Sequence, residues 1–196
     1  MRKTFLAMFI VTILLLMFTG TSTLAKTKHT IKSGETLWTV SQKYGVPLAS
    51  LQKVNHKYTD ELHVGETLTI PHIVTESEKD LLARLVRAEA QGESYAGKVA
   101  IATVVLNRVD SSLFPNTVRD VIYEVSPGGV YAFSPVENGE INKPADYASK
   151  KAVVEALAFR GQGRGSLYFY NPDKTDNKWI RSRQVTTVIG NHVFAK

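Results

Sequence analysis

The 196-residue chain contains no cysteine. This excludes a disulfide framework, a cysteine nucleophile and a thiolate metal site. Histidine is scarce, at five residues, and only His72 and His192 lie near or within the C-terminal part of the chain. Neither has a partner at metal-ligand spacing, so no metal and no other cofactor is expected. No G-x-S-x-G elbow follows the N-terminal leader, which argues against a serine hydrolase. The glycine-rich stretch Gly161–Ser166 follows a helical pattern and precedes a strand pattern. That is the reverse of a phosphate loop, and it reads as a connector. Acidic residues are outnumbered 18 to 24, giving a net charge of +6. Basic residues do not cluster among aromatics, so nucleic acid is not an expected partner. The positive balance suits a surface rich in anionic polymer, such as a Gram-positive wall, and would equally serve solubility.

The one long apolar run is N-terminal. Arg2 and Lys3 precede a fourteen-residue run, Phe5 to Phe18, and Thr23-Leu24-Ala25 offers small residues before a cut. Residues 1–25 therefore read as a secretory signal peptide, with an uncleaved membrane anchor as the alternative. A secreted protein with no membrane contact after cleavage is expected.

The stretch "SEKDLLARLVRAEAQGES", Ser77 to Ser94, poses a chemical question. At 100° per residue Leu81, Leu82, Leu85 and Val86 share one face, with Arg84 and Arg87 opposite. Thr75 or Ser77, with Glu78 or Asp80 three residues on, can form a capping box, and Gly92 is a stop signal. Glu89 falls near the centre of the apolar stripe. It could sit in a buried salt bridge or reach solvent at the helix end. It could also be a partly desolvated carboxyl group with a raised pKa, the property required of a proton donor to a glycosidic oxygen.

The tetrapeptide "GETL" occurs at Gly34–Leu37 and again at Gly65–Leu68. Different flanks argue against a tandem repeat. The stretch reads as strand, helix, helix, strand, with Leu37, Val40, Ser41 and Tyr44 on one helix face and Leu48, Leu51 and Val54 on the next. The opening His29-Thr30, "SGETLW", "KYG", Leu51, Asn55, Leu62 and "GETLTIP" closely resemble a LysM domain, assigned to residues 28–72. The resemblance implies binding of N-acetylglucosamine-containing glycans such as peptidoglycan. It places Gly34, Glu35, Thr36 and Leu37 in one groove-lining loop and Asn55 at the start of the other. Taken singly, Gly34 also reads as a turn former and Leu37 as core. The linker, about His72 to Glu76, is short enough to bring the two units close together.

The second unit is assigned to residues 77–196. After the Glu89 helix comes "SYAGKVAIATVVLNRV", apolar almost all round and read as the central buried helix. Thr117 and Asp120 suggest a capping box for a short helix, and residues 126–144 read as a long turn-rich loop. Pro144 and Gly161 are taken as the start and stop signals of a further helix. "SLYFY" and "QVTTVIGNHVFA" suggest strands, the latter a hairpin at Gly190-Asn191. The fold class expected is α+β, with helices beside a small antiparallel sheet.

"ARLVRAEAQGESYAGKVAIATVVLNRV", "YAFSPVENG", "SLYFYNP" and "KWIRSR" together resemble a SleB/CwlJ-type cell-wall hydrolase domain. The LysM attachment is similar to that of the YkvT-type members. The resemblance implies a mainly helical, lysozyme-like catalytic domain that degrades peptidoglycan glycan strands, with Glu89 as its catalytic glutamate. It further implies action at the cell wall or spore envelope, by a chain expected to be a monomer. Candidate substrate-binding residues are Phe133, Ser134, Tyr170, Asn171 and Trp179. Four of them have a plainer alternative: Phe133 or Trp179 in the core, Tyr170 on the core-facing side of an alternating strand, and Asn171 as a turn residue before Pro172. Glu93 is read as a cap for the following helix. Arg181 and Arg183 could hold a peptide-stem carboxylate or merely solvate the surface. A lytic transglycosylase needs one carboxyl group, and Glu89 is favoured for that role. A muramidase-type hydrolase needs a second, for which Asp110, Glu137, Glu140, Asp146, Asp173 and Asp176 are available. A non-catalytic wall-binding protein is the remaining alternative.

Overall fold

Two separate apolar clusters organise the chain, each beside its own small sheet. The structure, a computed structural model, describes residues 26–59 and 61–196; the signal peptide expected over residues 1–25 lies outside the described residues. Among the described residues no helix is long and apolar enough to cross a membrane.

The first unit runs β1 (Lys28–Thr30), α1 (Leu37–Tyr44), α2 (Leu48–Asn55), β2 (Thr67–Thr69), in the expected order. The strands pair antiparallel, with Lys28 opposite Thr69 and Thr30 opposite Thr67. Thr36 and Thr39 cap α1 reciprocally, and Gly45 ends it at φ 63°. Leu37, Val40, Leu51, Leu68 and Ile70 form the core between helices and strands. Val54, expected on the inner face of α2, is instead half-buried.

In the second unit α3 (Glu76–Glu89) begins at a capping box in which Thr75 and Glu78 satisfy each other's backbone N–H groups. Leu82, Leu85 and Val86 are fully buried, each contributing about 1.5–3 kcal/mol of apolar transfer. The helix ends at Glu89, two residues earlier than a stop at Gly92 implies; Gly92 instead makes the turn beyond it at φ 78°. Ser94 caps α4 (Tyr95–Asp110). This helix is buried on most sides and packs against α3, α5 (Val118–Ile122) and α7 (Tyr147–Ala158). Thr117 caps α5 as expected.

Two expectations are corrected. Residues 126–144 are not structureless: Val125 bridges Tyr131, α6 spans Ser134–Glu137, and a 3-10 turn at Glu140–Asn142 buries Ile141. Arg84 and Arg87 donate to the Ile141 and Glu140 carbonyls at 3.0 and 2.7 Å, so the loop is stitched onto α3. The cap of α7 is Asp146, whose carboxylate accepts from Ser149 N, and Pro144 lies before it. The chain closes with β3 (Tyr168–Tyr170), α8 (Lys178–Arg181), β4 (Val185–Ile189) and β5 (His192–Ala195), in a sheet ordered β3-β5-β4. The hairpin turns at Gly190, as expected.

Candidate active site

The face of α3 that buries Leu82, Leu85 and Val86 carries Glu89 as its last helical residue. The helix stops there, so the side chain leaves the core at the edge of a cleft of about 600 Å³. Burial pushes the Glu89 carboxyl up to about 7, against the opposing pull of the Arg108 guanidinium. A carboxyl group of this kind holds its proton near neutral pH and still ionises readily, which suits a group that must both give and take a proton.

Ser134, Tyr170, Asn171 and Trp179 line the same cleft. Trp179, half-exposed, stands edge-on to Tyr168 at 5.2 Å, with Arg183 4.7 Å over its ring. An indole held from two sides offers a flat platform for a sugar face. Phe133 takes its core alternative: it is 3% exposed and stacks on Phe169 at 6.3 Å. Arg181 donates to the Thr175 and Pro172 carbonyls, so it shapes the loop before α8.

The groove candidates of the first unit lie apart from this cleft. Gly34 makes a turn at φ 81°. Glu35 accepts from Lys32 N at 2.8 Å and lies 2.7 Å from His29 Nε2, which holds its carboxyl well below the usual range. Thr36 is committed to the α1 cap, and Leu37 is core. Asn55 donates to the Leu51 and Thr69 carbonyls and accepts from Thr69 N. These side chains are employed in shaping the two loops.

Sequence reasoning missed two features of the surroundings of Glu89. The first is Glu93. The cap of α4 is Ser94, so Glu93 does not serve as one. Its side chain, 5% exposed, lies 3.2 Å from His192 Nδ1 and accepts from Asn191 N and Nδ2 at 3.3 Å. Gly190 makes room for it: a Cβ there would lie 2.2 Å from Glu93 Oε2. Burial lowers the His192 pKa and Glu93 partly restores it. The second feature is Arg108, a buried cation on α4. Its Nε donates to Leu167 O at 2.7 Å, and its guanidinium sits 4.9, 5.1 and 5.6 Å from the rings of Phe114, Phe133 and Tyr168. It lies within electrostatic reach of both Glu89 and Glu124. Arg108 shares a stripe with Ile101, Val104 and Val105, so the signal that marked Glu89 was present here as well. Among the described residues no three His, Asp or Glu side chains converge to hold a metal ion.

Residues 92–195 match the Cell Wall Hydrolase family and residues 29–71 match the LysM domain. The chain belongs to the Cell Wall Hydrolase family and carries an N-terminal LysM domain. It is 36% identical over 135 residues to the spore cortex-lytic enzyme of Halalkalibacterium halodurans, which covers 69% of this chain and 39% of that protein. The chain thus spans less than half the length of that curated relative. Among solved structures it is similar to the catalytic domain of the Bacillus cereus SleB protein, with 40% identity, a TM-score of 0.58, and coverage of 65% of this chain and 95% of that one. It is similar also to the catalytic domain of the germination-specific lytic transglycosylase SleB from Bacillus anthracis: 38% identity, TM-score 0.58, coverage 65% and 100%. The family match begins just after Glu89.

Proposed function

We propose that this protein is exported and cleaves the glycan strands of peptidoglycan at the bond between N-acetylmuramic acid and N-acetylglucosamine, as a lytic transglycosylase with Glu89 as its single acid and base. The observation that carries the reading is a carboxyl group with a pKa near 7 at the edge of an open, polar cleft. Glu89 protonates the glycosidic oxygen, and the C1–O bond breaks with an oxocarbenium-like charge on the muramic ring. The resulting carboxylate then takes the proton from the muramic C6 hydroxyl, whose oxygen closes onto C1. The product is a 1,6-anhydro ring, and the carboxyl group is restored to its starting state.

The state of Glu93 supports a single-carboxyl mechanism over a hydrolytic one. A hydrolase needs a second carboxylate free to activate water or attack C1. Glu93 lines the cleft with Glu89, yet it is nearly buried and engaged with Asn191 and His192. Asp110, one of the earlier candidates, is 1% exposed in an ion pair with Arg160. Glu140 is bonded to Arg87 and Lys143, and Asp146 caps α7. The similarity to SleB, described for B. anthracis as a lytic transglycosylase, points the same way.

The LysM domain would hold the enzyme on the same polymer, at the cell wall or spore envelope. Solubilisation of purified peptidoglycan should therefore be readily measured, and kcat/KM should fall above about pH 7 as Glu89 loses its proton. A rate that is flat from pH 6 to 9, or no solubilisation at all, contradicts the assignment.

A further inference from the structure

Helix α4 carries the cleft at one end and the LysM domain at the other. Glu93 precedes its first turn, and Asn107 and Asp110 form its last. Sixteen residues at 1.5 Å rise make this helix about 24 Å long. At the far end Lys53 Nζ donates to Asn107 Oδ1 and Ser50 Oγ donates to Asp110 Oδ2, both at 2.9 Å. Asp110 also accepts from Arg160 Nε and Nη2 at 3.2 and 2.7 Å, and Arg160 Nη1 donates to His72 O at 2.6 Å. One buried guanidinium–carboxylate pair thus joins the ends of α4 and α7 to the LysM helix α2 and to the linker.

Two further contacts remove the freedom a tether would have. Gly161, at φ +88°, presses on the LysM backbone so closely that a Cβ would lie 2.3 Å from Ser50 N. The His72 ring nitrogen Nε2 is 2.9 Å from both oxygens of Glu78. Glu78 in turn completes the α3 cap and accepts from Val118 N. The linker is therefore held at its carbonyl and at its side chain. A freely swinging module would expose the Asp110–Arg160 pair to water at each excursion; here the two side chains are 1% and 3% exposed.

We infer that the LysM domain is a rigid arm of the enzyme, so that its substrate is a glycan strand long enough to occupy the LysM groove and the cleft together, cut at a set distance from the sugar that LysM holds. This rests on the function proposed above. Short soluble fragments reach only one of the two sites and lose the benefit of the second.

The cysteine-free sequence makes the test direct. Spin labels are placed on the full-length protein at Gln42→Cys, on α1, and Lys178→Cys, on α8, both exposed positions. The unmodified interface should give one narrow distance. Gly161→Val, which intrudes from the catalytic side, and Ser50→Arg, which intrudes from the LysM side, should each broaden it. In parallel, long uncrosslinked glycan strands are digested by the wild type and both variants. Wild-type products should show a lower length limit that both variants lose. A broad distance in the unmodified background, or product lengths unchanged by both substitutions, overturns the rigid arm. Absence of cutting by all three proteins overturns the proposed function and the cutting distance with it. A narrow spin-label distance in that case separates that failure from a mobile junction.

Discussion

Glu89→Gln should abolish wall solubilisation and, at the same time, raise the stability of the protein at pH 7 and above. The amide cannot give or take the proton, so the rate should fall by about 10²–10⁴-fold, the usual contribution of a positioned acid–base group. The stability gain follows from the raised pKa. In the unfolded chain the carboxyl loses its proton near its ordinary value of 4.5, and in the folded chain near 7. Between these values the folded state binds the extra proton, so stability falls as pH rises through the window and levels off above it. The difference amounts to about 3 kcal/mol. Glutamine carries no such penalty. Denaturant unfolding of both proteins at pH 4 and pH 7.5 should show near-equal stability at the first and a clear advantage for Glu89→Gln at the second. Equal stability at both would mean that Glu89 is not desolvated, and retained activity would mean that it is not the acid.

Arg160→Met should cost about 3–5 kcal/mol of stability. The reason is asymmetric. Asp110, 1% exposed, would lose two charge-assisted hydrogen bonds and retain only the Ser50 hydroxyl. The His72 carbonyl would lose its donor as well. Replacing both partners, Asp110→Asn with Arg160→Met, should cost less than the single change, because no unpaired charge remains. Equilibrium unfolding of the three proteins checks this, and a loss under about 1 kcal/mol for Arg160→Met would show that the pair is not buried in solution.

The fold was legible in the sequence wherever the signal is local. The Thr75–Glu78 and Thr117–Asp120 caps, the apolar face of α3, and the hairpin at Gly190 all depend on residues a few positions apart. Glu89 was legible for the same reason, as a carboxyl group breaking a helical stripe. What escaped were pairings across long sequence separations. Glu93 meets His192 ninety-nine residues later, and Asp110 meets Arg160 and Ser50. In the sequence Glu93 reads as a cap and Asp110 as one of several available carboxylates, and no periodicity reports a partner on another element. Phe133 was ambiguous because an aromatic residue in a loop suits a core or a cleft equally well. Its stacking on Phe169 and Arg108 decided the matter in favour of the core.

The central claim is that one carboxyl group, Glu89, performs both proton transfers while no second carboxylate activates water. Mass spectrometry of the muropeptides released from defined peptidoglycan tests it most directly. Glycan ends carrying 1,6-anhydro-N-acetylmuramic acid are the predicted result. Reducing N-acetylmuramic acid ends, which sodium borohydride would convert to the alcohol, would contradict it and place a water-activating carboxylate in the cleft.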